Sequence, residues 1–333
     1  MFESLHQPAI IRALWTIGAI YGGCVACSLV TLVVRRRTRE EIRGMVKNYI
    51  AWLFILPAVL LPLLSGRLVW VVFVLVLSLL AFREFACATG LWRDRVFLWV
   101  AGACIVGMFY PVAVRWYGLF LVTPVYATLL LLTVPLAQDR FEGMIQRTCL
   151  AILGVLYFGW CFSHVAYLIH LEHGLGHVLF LFSLTELNDV CAYHIGKWLG
   201  RRPLIPYISP KKTIEGSVGA LVLVIGFAFL FRYLVPEFST FLLILIAGLI
   251  SITGTFGDLT ISFIKRDLGI KDMGKLIPGQ GGILDRFDSL IFVSAPCPCF
   301  PSVYQASFPA FWHAQARTWF WLQSTPARTV PGP

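Results

Sequence analysis

The feature that most constrains the fold of this chain is its series of long apolar runs. A membrane-spanning helix needs about 20 mostly apolar residues. Hydrophobic residues make up 58% of the chain and charged residues 13%, whereas soluble domains average about 45–50% and about 25%. The sequence therefore predicts an all-α, polytopic integral membrane protein with about nine transmembrane helices, at residues 13–34, 49–65, 67–82, 96–113, 117–136, 148–169, 175–196, 217–235 and 238–257.

The distribution of basic residues supports these spans independently, because charge was not used to choose them. Five alternate loops hold 21 of the 27 lysines and arginines. Cytoplasmic loops carry this excess in membrane proteins. We therefore expect a multi-pass protein of the inner (plasma) membrane, with an external N-terminus and an uncleaved first helix. The net charge of +10 then needs no nucleic-acid partner, and no basic stretch is interleaved with aromatic residues.

The chain divides into three regions by composition. Residues 1–147 hold about five transmembrane helices, and residues 148–294 form a transmembrane region with two long polar loops, where we expect the catalytic residues. Residues 295–333 are rich in proline and match neither region. Pro296, Pro298 and Pro301 interrupt the apolar run that follows Asp288, since proline removes helix hydrogen bonds. A shifted reading frame would produce such a tail, although a genuine divergent tail is the alternative.

The second polar loop, from Asp258 to Asp288, contains most of the candidate catalytic residues. Asp258, Ser262 and Lys265 are spaced to share one helix face, as are Asp285 and Asp288. The Pro-Gly-Gln-Gly-Gly segment between them cannot be regular helix, so it can bring the two helical pieces together. Carboxylates beside lysines suit a Mg²⁺–phosphate site, because Mg²⁺ prefers carboxylate, water and phosphate oxygens.

A purely structural role is the alternative for these acids. Each carboxylate alone could cap a helix or pair with Arg266 or Arg286. Three acids bordering a membrane on both sides of a glycine-rich turn favour the functional interpretation, because ionisable residues at such positions are expensive to place there.

The first polar loop, residues 197–216, offers a second anion site. Ser209 followed by Pro210 predicts a helix start with Ser209 as the N-cap, which places Lys211 and Lys212 in the first turn of that helix. A helix N-terminus with two lysines binds anions well. A positive-inside anchor beside the next span is an equally good interpretation of the two lysines. Asp189, near the cytoplasmic third of the seventh span, could be structural or functional.

Residues 262–288, SFIKRDLGIKDMGKLIPGQGGILDRFD, closely resemble the diagnostic pattern of phosphatidate cytidylyltransferases. That pattern contains S-x-x-K-R, K-D, a Pro-Gly-His-Gly-Gly turn and L-D-R-x-D with fixed spacing. The block Ser209-Pro210-Lys211-Lys212-Thr213 and the Asn188-Asp189 pair also resemble family blocks, and Arg83-Glu84-Phe85 does so more weakly. The resemblance covers roughly residues 50–294.

This resemblance implies an enzyme that transfers the cytidylyl group of CTP to phosphatidic acid, giving CDP-diacylglycerol and pyrophosphate. It implies a homodimer and Mg²⁺ held by Asp258 and Asp285, with K⁺ as an additional ion in family members. Four matched positions would be catalytic: Asp258, Lys265, Asp285 and Asp288. The corresponding substrate-binding positions are Asp189, Ser209, Lys211, Lys212, Thr213, Ser262, Arg266, Lys271, Asp272, Gln280 and Arg286.

Two departures from the pattern leave alternatives open. Gln280 stands where the family turn has histidine, and the tail matches nothing in the family. An inactive or altered-substrate paralogue of the same fold is therefore the first alternative. A transporter is the second, because it would also explain nine spans with polar residues inside the membrane. Transporters often repeat their polar motifs in both halves, whereas here they crowd into the C-terminal half.

Overall fold

The computed structural model describes residues 53–274 and 281–294, together with positions 8, 11, 12, 15, 16, 18 and 22. The first predicted span therefore lies almost wholly outside the described residues. So do the predicted turn residue Gln280 and the proline-rich tail from residue 295.

The described chain is built almost entirely of helices. Their bounds are α1 Leu53–Ser65, α2 Arg67–Thr89, α3 Arg95–Ala113, α4 Tyr117–Gln138, α5 Met144–Leu168, α6 Gly174–Leu199, α7 Ile214–Leu230, α8 Thr240–Asp267 and α9 Leu284–Ser294. Two short 3₁₀ turns, Leu91–Arg93 and Arg232–Leu234, join α2 to α3 and follow α7.

Six of these helices, α2 to α6 and α8, are long and apolar enough to cross a membrane by length and composition. The prediction of an all-α membrane protein is thereby confirmed. Helices α1 and α7 are apolar but shorter, at 13 and 17 residues. The total of nine spans and the orientation of the loops stay predictions.

Helix α8 continues well past the predicted end of its span at residue 257 and reaches Asp267. The predicted boundary marked where apolar residues stop, but the helix hydrogen bonds continue through the polar turns beyond it. Asp258, Ser262 and Lys265 consequently lie on consecutive turns of one rigid helix, as their spacing predicted.

The prediction that Ser209 caps a helix is wrong. Ser209–Thr213 forms strand β2, which pairs antiparallel with β1, Pro203–Ile205. Helix α7 begins only at Ile214, and Thr213 is its N-cap, accepting a hydrogen bond from the Gly216 N–H at 3.1 Å. Proline fits the first residues of a strand as well as a helix start, and Thr213 offers an equally good capping hydroxyl.

The hairpin also separates the two neighbouring lysines, which the predicted helix would have kept together. Lys211 is exposed, whereas Lys212 is partly buried and turns toward α8. Successive side chains of a strand point to opposite faces, so adjacent lysines have different surroundings.

Helices α8 and α9 pack unusually closely beside the polar end of the bundle. A Cβ added to Gly257 would lie 2.6 Å from the Asp288 carbonyl oxygen and 3.0 Å from the Ser289 Cα. A larger residue would therefore force the two helices apart. This contact fixes the position of Asp288 along the axis of α9 relative to the turn of α8 that carries Asp258.

Helix α5 contains a π-helical segment, Val155–Cys161, in its middle. The Ser78 hydroxyl of α2 donates a hydrogen bond of 2.5 Å to the Phe158 carbonyl in this segment. Phe158 is fully buried against Phe85. Segments of this kind occur frequently at functional sites, and this one faces α9.

Candidate active site

The polar residues of α6, α8, α9 and the hairpin meet in one place. The Lys212 ammonium of β2 lies 2.5 Å from Asp258 Oδ2 of α8. Asp258 Oδ1 accepts a hydrogen bond from the Ser262 hydroxyl one turn later, at 3.3 Å. The two sequence motifs, 46 positions apart from Lys212 to Asp258, thus form a single site.

Asp285, in the first turn of α9, joins the two halves of the second motif. Its Oδ1 accepts from the Lys265 ammonium at 2.9 Å. Its Oδ2 accepts from the backbone N–H groups of Met273 and Gly282, both at 2.9 Å. The predicted return of the chain across the glycine-rich turn is therefore confirmed for the described residues on either side of it.

Asp288 lies one turn further along α9 and faces the interior of the bundle, where it is buried. Asp189 of α6 accepts a hydrogen bond from the neighbouring Ser289 hydroxyl at 2.8 Å. Asp189, Asp258 and Asp288 act on one another electrostatically. Charges of one sign grouped in a low-dielectric region repel strongly, so full ionisation of this group requires the nearby lysines or a bound cation.

A hydrogen-bonded pair continues the polar region deeper between α6 and α8. The buried Ser251 hydroxyl donates to Asn188 Oδ1 at 2.6 Å. The Asn188 amide in turn donates to Asp189 Oδ1 at 3.4 Å. Buried polar groups are rarely left without partners, and this chain of contacts orients the Asp189 carboxylate.

Other predicted site residues lie at the edge of this centre. The Arg266 guanidinium donates to the Ile208 carbonyl at the hairpin tip, at 3.3 Å. Lys211, Lys271 and Asp272 are exposed, whereas Ser209 is partly buried in β2. Thr213 caps α7, and Arg286 lies within electrostatic reach of Glu186 on α6. Gln280 lies outside the described residues.

Glu84 of α2 contacts the start of α9 beside this candidate site, and the sequence patterns predicted no role for it. Its two carboxylate oxygens accept hydrogen bonds from the backbone N–H groups of Ile283 at 3.0 Å and Leu284 at 2.9 Å. These N–H groups belong to the start of α9 and would otherwise lack intrahelical partners. Glu84 thus holds the turn of α9 that presents Asp285. The weak resemblance of Arg83-Glu84-Phe85 to a family block was the one sequence signal that pointed to Glu84.

We expect Glu84→Gln to loosen the start of α9, because the new amide nitrogen would face a backbone donor instead of accepting from it. Hydrogen exchange of the Ile283 and Leu284 amides should accelerate by about tenfold, because the loss of one such hydrogen bond lowers the free energy of local opening by about 1.4 kcal/mol. Glu142→Gln is the control, since Glu142 is exposed. Unchanged exchange in Glu84→Gln would contradict the capping role.

The donor set at this centre fits Mg²⁺. Asp258 and Asp285 offer hard carboxylate oxygens, and a carboxylate has about four acceptor positions. Three positions on Asp285 and two on Asp258 are engaged by the contacts above, so each retains capacity for a ligand bond. Within the described residues no group of three His, Cys, Asp or Glu side chains is arranged to hold a metal. Mg²⁺ needs only one or two carboxylates when phosphates complete its shell.

Comparison with known proteins identifies the family. The model of the cytidylyltransferase family matches residues 46–302. The phosphatidate cytidylyltransferase of Staphylococcus aureus (strain COL) is 34% identical over 248 residues, 71% of this chain and 91% of that protein. Its counterpart from Staphylococcus epidermidis (strain ATCC 35984) is 34% identical over 252 residues, 73% of this chain and 92% of that protein.

A further relative is the uncharacterized protein YnbB of Escherichia coli (strain K12), 41% identical over 152 residues, 43% of this chain. The match spans about half of YnbB, 51% of its length. The family match covers most of this chain, and the chain belongs to the cytidylyltransferase family. The predicted enzyme class, a CTP-dependent nucleotidyltransferase, is confirmed with it.

Proposed function

We propose that this protein transfers the cytidylyl group of CTP to phosphatidic acid, producing CDP-diacylglycerol and pyrophosphate. The observation that carries the proposal is the meeting of two lysine–carboxylate pairs, Lys212–Asp258 and Lys265–Asp285, at one end of an apolar bundle. A nucleoside triphosphate and the phosphate headgroup of phosphatidic acid both carry several negative charges. The acyl chains of the lipid need apolar surroundings. The names of the Staphylococcus relatives support the same substrates.

The reaction joins a phosphate oxygen of phosphatidic acid to the α-phosphorus of CTP and breaks the bond from that phosphorus to the pyrophosphate oxygen. The lipid phosphomonoester is largely a dianion near neutral pH, since such groups have a second pKa of about 6. It therefore needs no general base. Its approach to the triphosphate needs positive charge, which reduces the repulsion between the two anions, and alignment of its oxygen with the α-phosphorus. Electrostatic stabilisation and positioning dominate the catalysis of phosphoryl-type transfers.

The lysines provide that charge. In this structure Lys212 and Lys265 neutralise Asp258 and Asp285. We propose that their ammonium groups contact substrate phosphates when these bind, and that Asp258 and Asp285 hold Mg²⁺, with K⁺ as an additional ion. Bound Mg²⁺ would neutralise charge on the triphosphate and on departing pyrophosphate. Arg266, Lys271 and the Asp189–Ser289 pair would complete the substrate surroundings.

We further propose that the site faces the cytoplasm, where CTP is made, from the inner membrane, and that the protein is a homodimer. In a cysteine-free background, Tyr207→Cys at the 95% exposed hairpin tip should resist a membrane-impermeant thiol reagent in intact cells and react after lysis. Glu172→Cys, exposed between α5 and α6, should react in intact cells. The reverse pattern would overturn the orientation.

Pyrophosphate release by the purified protein separates the candidate functions. We expect release that requires CTP, Mg²⁺ and phosphatidic acid together. Release with another lipid acceptor alone would indicate an altered-substrate paralogue. Absence of release from a folded protein that binds CTP would favour an inactive paralogue, and absence of both binding and release would remove the proposal.

A further inference from the structure

Tyr157 lies in the π-helical segment of α5, and its hydroxyl group has no part in the site described above. Its side chain is 9% exposed, and its hydroxyl oxygen is buried. Within residues 53–274 and 281–294 that hydroxyl has no hydrogen-bond partner. An unsatisfied buried hydroxyl is unfavourable, so each one in a native structure calls for an explanation, such as a functional role or a bound water.

The position of Tyr157 links this hydroxyl to the acidic centre. Its ring packs edge-on against Phe292 of α9, with ring centroids 6.2 Å apart. Phe292 lies one turn after Asp288 on that helix. Tyr157 is also within electrostatic reach of both Asp288 and Asp258. Tyr157 therefore lies beside the part of α9 that carries Asp288, next to the centre at which we propose that substrate phosphates bind.

The π-helical segment explains how the side chain comes to this place. Neighbouring side chains fix the segment on both sides: Phe158 is buried against α2, and a Cβ on Gly159 would lie 3.1 Å from Ile105 and Met108 of α3. The wider turn rotates Tyr157 relative to a regular α-helix, and it packs beside α9. The surrounding core holds the ring in place, so the hydroxyl is pre-positioned at little entropic cost.

We propose that the Tyr157 hydroxyl donates a hydrogen bond to a phosphate oxygen of a bound substrate, either the lipid headgroup or the nucleotide. This inference rests on the proposed function. A tyrosine hydroxyl is a neutral donor, so it can contact a phosphate without adding charge to a centre whose lysines already pair with carboxylates. Tyr157 would then be a substrate-binding residue that the motif-based prediction did not include.

Tyr157→Phe tests the inference with the removal of one oxygen atom. Since that oxygen has no partner among the described residues of the unliganded protein, the unfolding midpoint of the unliganded variant should match or exceed that of the natural protein. Binding should weaken by about tenfold, the loss expected for one hydrogen bond to a charged group. Tyr126→Phe is the control, because Tyr126 is 64% exposed on α4.

Two probes identify the phosphate concerned. CTP with Mg²⁺, and separately dioleoyl phosphatidic acid in detergent micelles, are titrated while the thermal unfolding midpoint is recorded, and KM is measured for each substrate. A tenfold rise in Kd and KM for one probe, with the other unchanged, supports the proposal and names the source.

Two outcomes overturn it. Unchanged affinity for both probes in Tyr157→Phe means that the hydroxyl contacts no substrate. Lower stability of the unliganded variant with unchanged KM means that the hydroxyl has a structural partner. If the natural protein binds neither probe and makes no CDP-diacylglycerol, the proposed function fails as well, and that result is distinct from both.

Discussion

Replacing Asp258 or Asp285 by asparagine is expected to lower kcat by at least about 100-fold while the protein stays folded. Asparagine keeps the shape of the side chain but removes an anionic oxygen that would hold Mg²⁺. Loss of one preorganised electrostatic contact at a reacting centre typically costs about 10²–10³ in rate. Asp258 also pairs with Lys212 and Asp285 with Lys265, so each substitution frees a lysine from its carboxylate partner as well.

Asp267→Asn is the matched control, since Asp267 lies on the same helix as Asp258 but is exposed at its end. It should change kcat by no more than about twofold, as expected for surface charges with weak interactions. The amount of monodisperse protein in detergent reports folding for each variant. An Asp258→Asn or Asp285→Asn enzyme that keeps more than about a tenth of the activity, a barrier change near 1.4 kcal/mol, would refute the metal assignment.

The second large effect is expected from two adjacent lysines that behave differently. Lys212→Met should reduce kcat/KM by about 100-fold, because its ammonium lies within the acidic centre and its removal leaves Asp258 without its charged partner. Lys211→Met should reduce it by less than about threefold, because Lys211 is exposed on the other side of the strand. Lys212→Arg should rescue only partly, since a planar guanidinium does not replace a compact ammonium.

Steady-state kinetics with varied CTP and varied phosphatidic acid measure this contrast. The pair is informative because a helix starting at Ser209 would place both lysines at one anion site and give them similar effects. Equal losses in Lys211→Met and Lys212→Met would therefore argue against the hairpin geometry as the active arrangement.

Much of the architecture was predictable because the membrane limits the choices. Spanning segments must satisfy their backbone groups internally, so the length of each apolar run was enough to locate α2 to α6 to within a few residues. The largest differences are at α2, which ends seven residues later than predicted, and at α5, which begins four residues earlier. Hydropathy could not locate the end of α8, since a polar helix continues beyond the apolar part with no change in backbone geometry. The Ser209-Pro210 pair misled because both residues are compatible with a strand and with a helix start.

The site was predictable to a similar extent and for a similar reason. The placement of Asp258, Lys265 and Asp285 could be predicted, because the spacing of residues within one motif encodes helix faces; their catalytic roles stay predictions. Glu84 is 199 and 200 positions away from Ile283 and Leu284, and its partners are backbone N–H groups, which leave no side-chain pattern to detect. Tyr157 lies in an apolar run, where an aromatic residue usually serves packing, and only the π-helical turn relates it to the carboxylates.

The most direct test of the central claim is the fate of each phosphate of CTP. The purified protein would be incubated with Mg²⁺, phosphatidic acid and CTP labelled in either the α- or the γ-phosphate, and the lipid and aqueous phases would be counted separately. We predict that the α-label enters the lipid phase in proportion to the phosphatidic acid consumed, while the γ-label leaves as pyrophosphate. Label from the γ-phosphate in lipid, or hydrolysis of CTP without transfer to lipid, would contradict the proposed reaction.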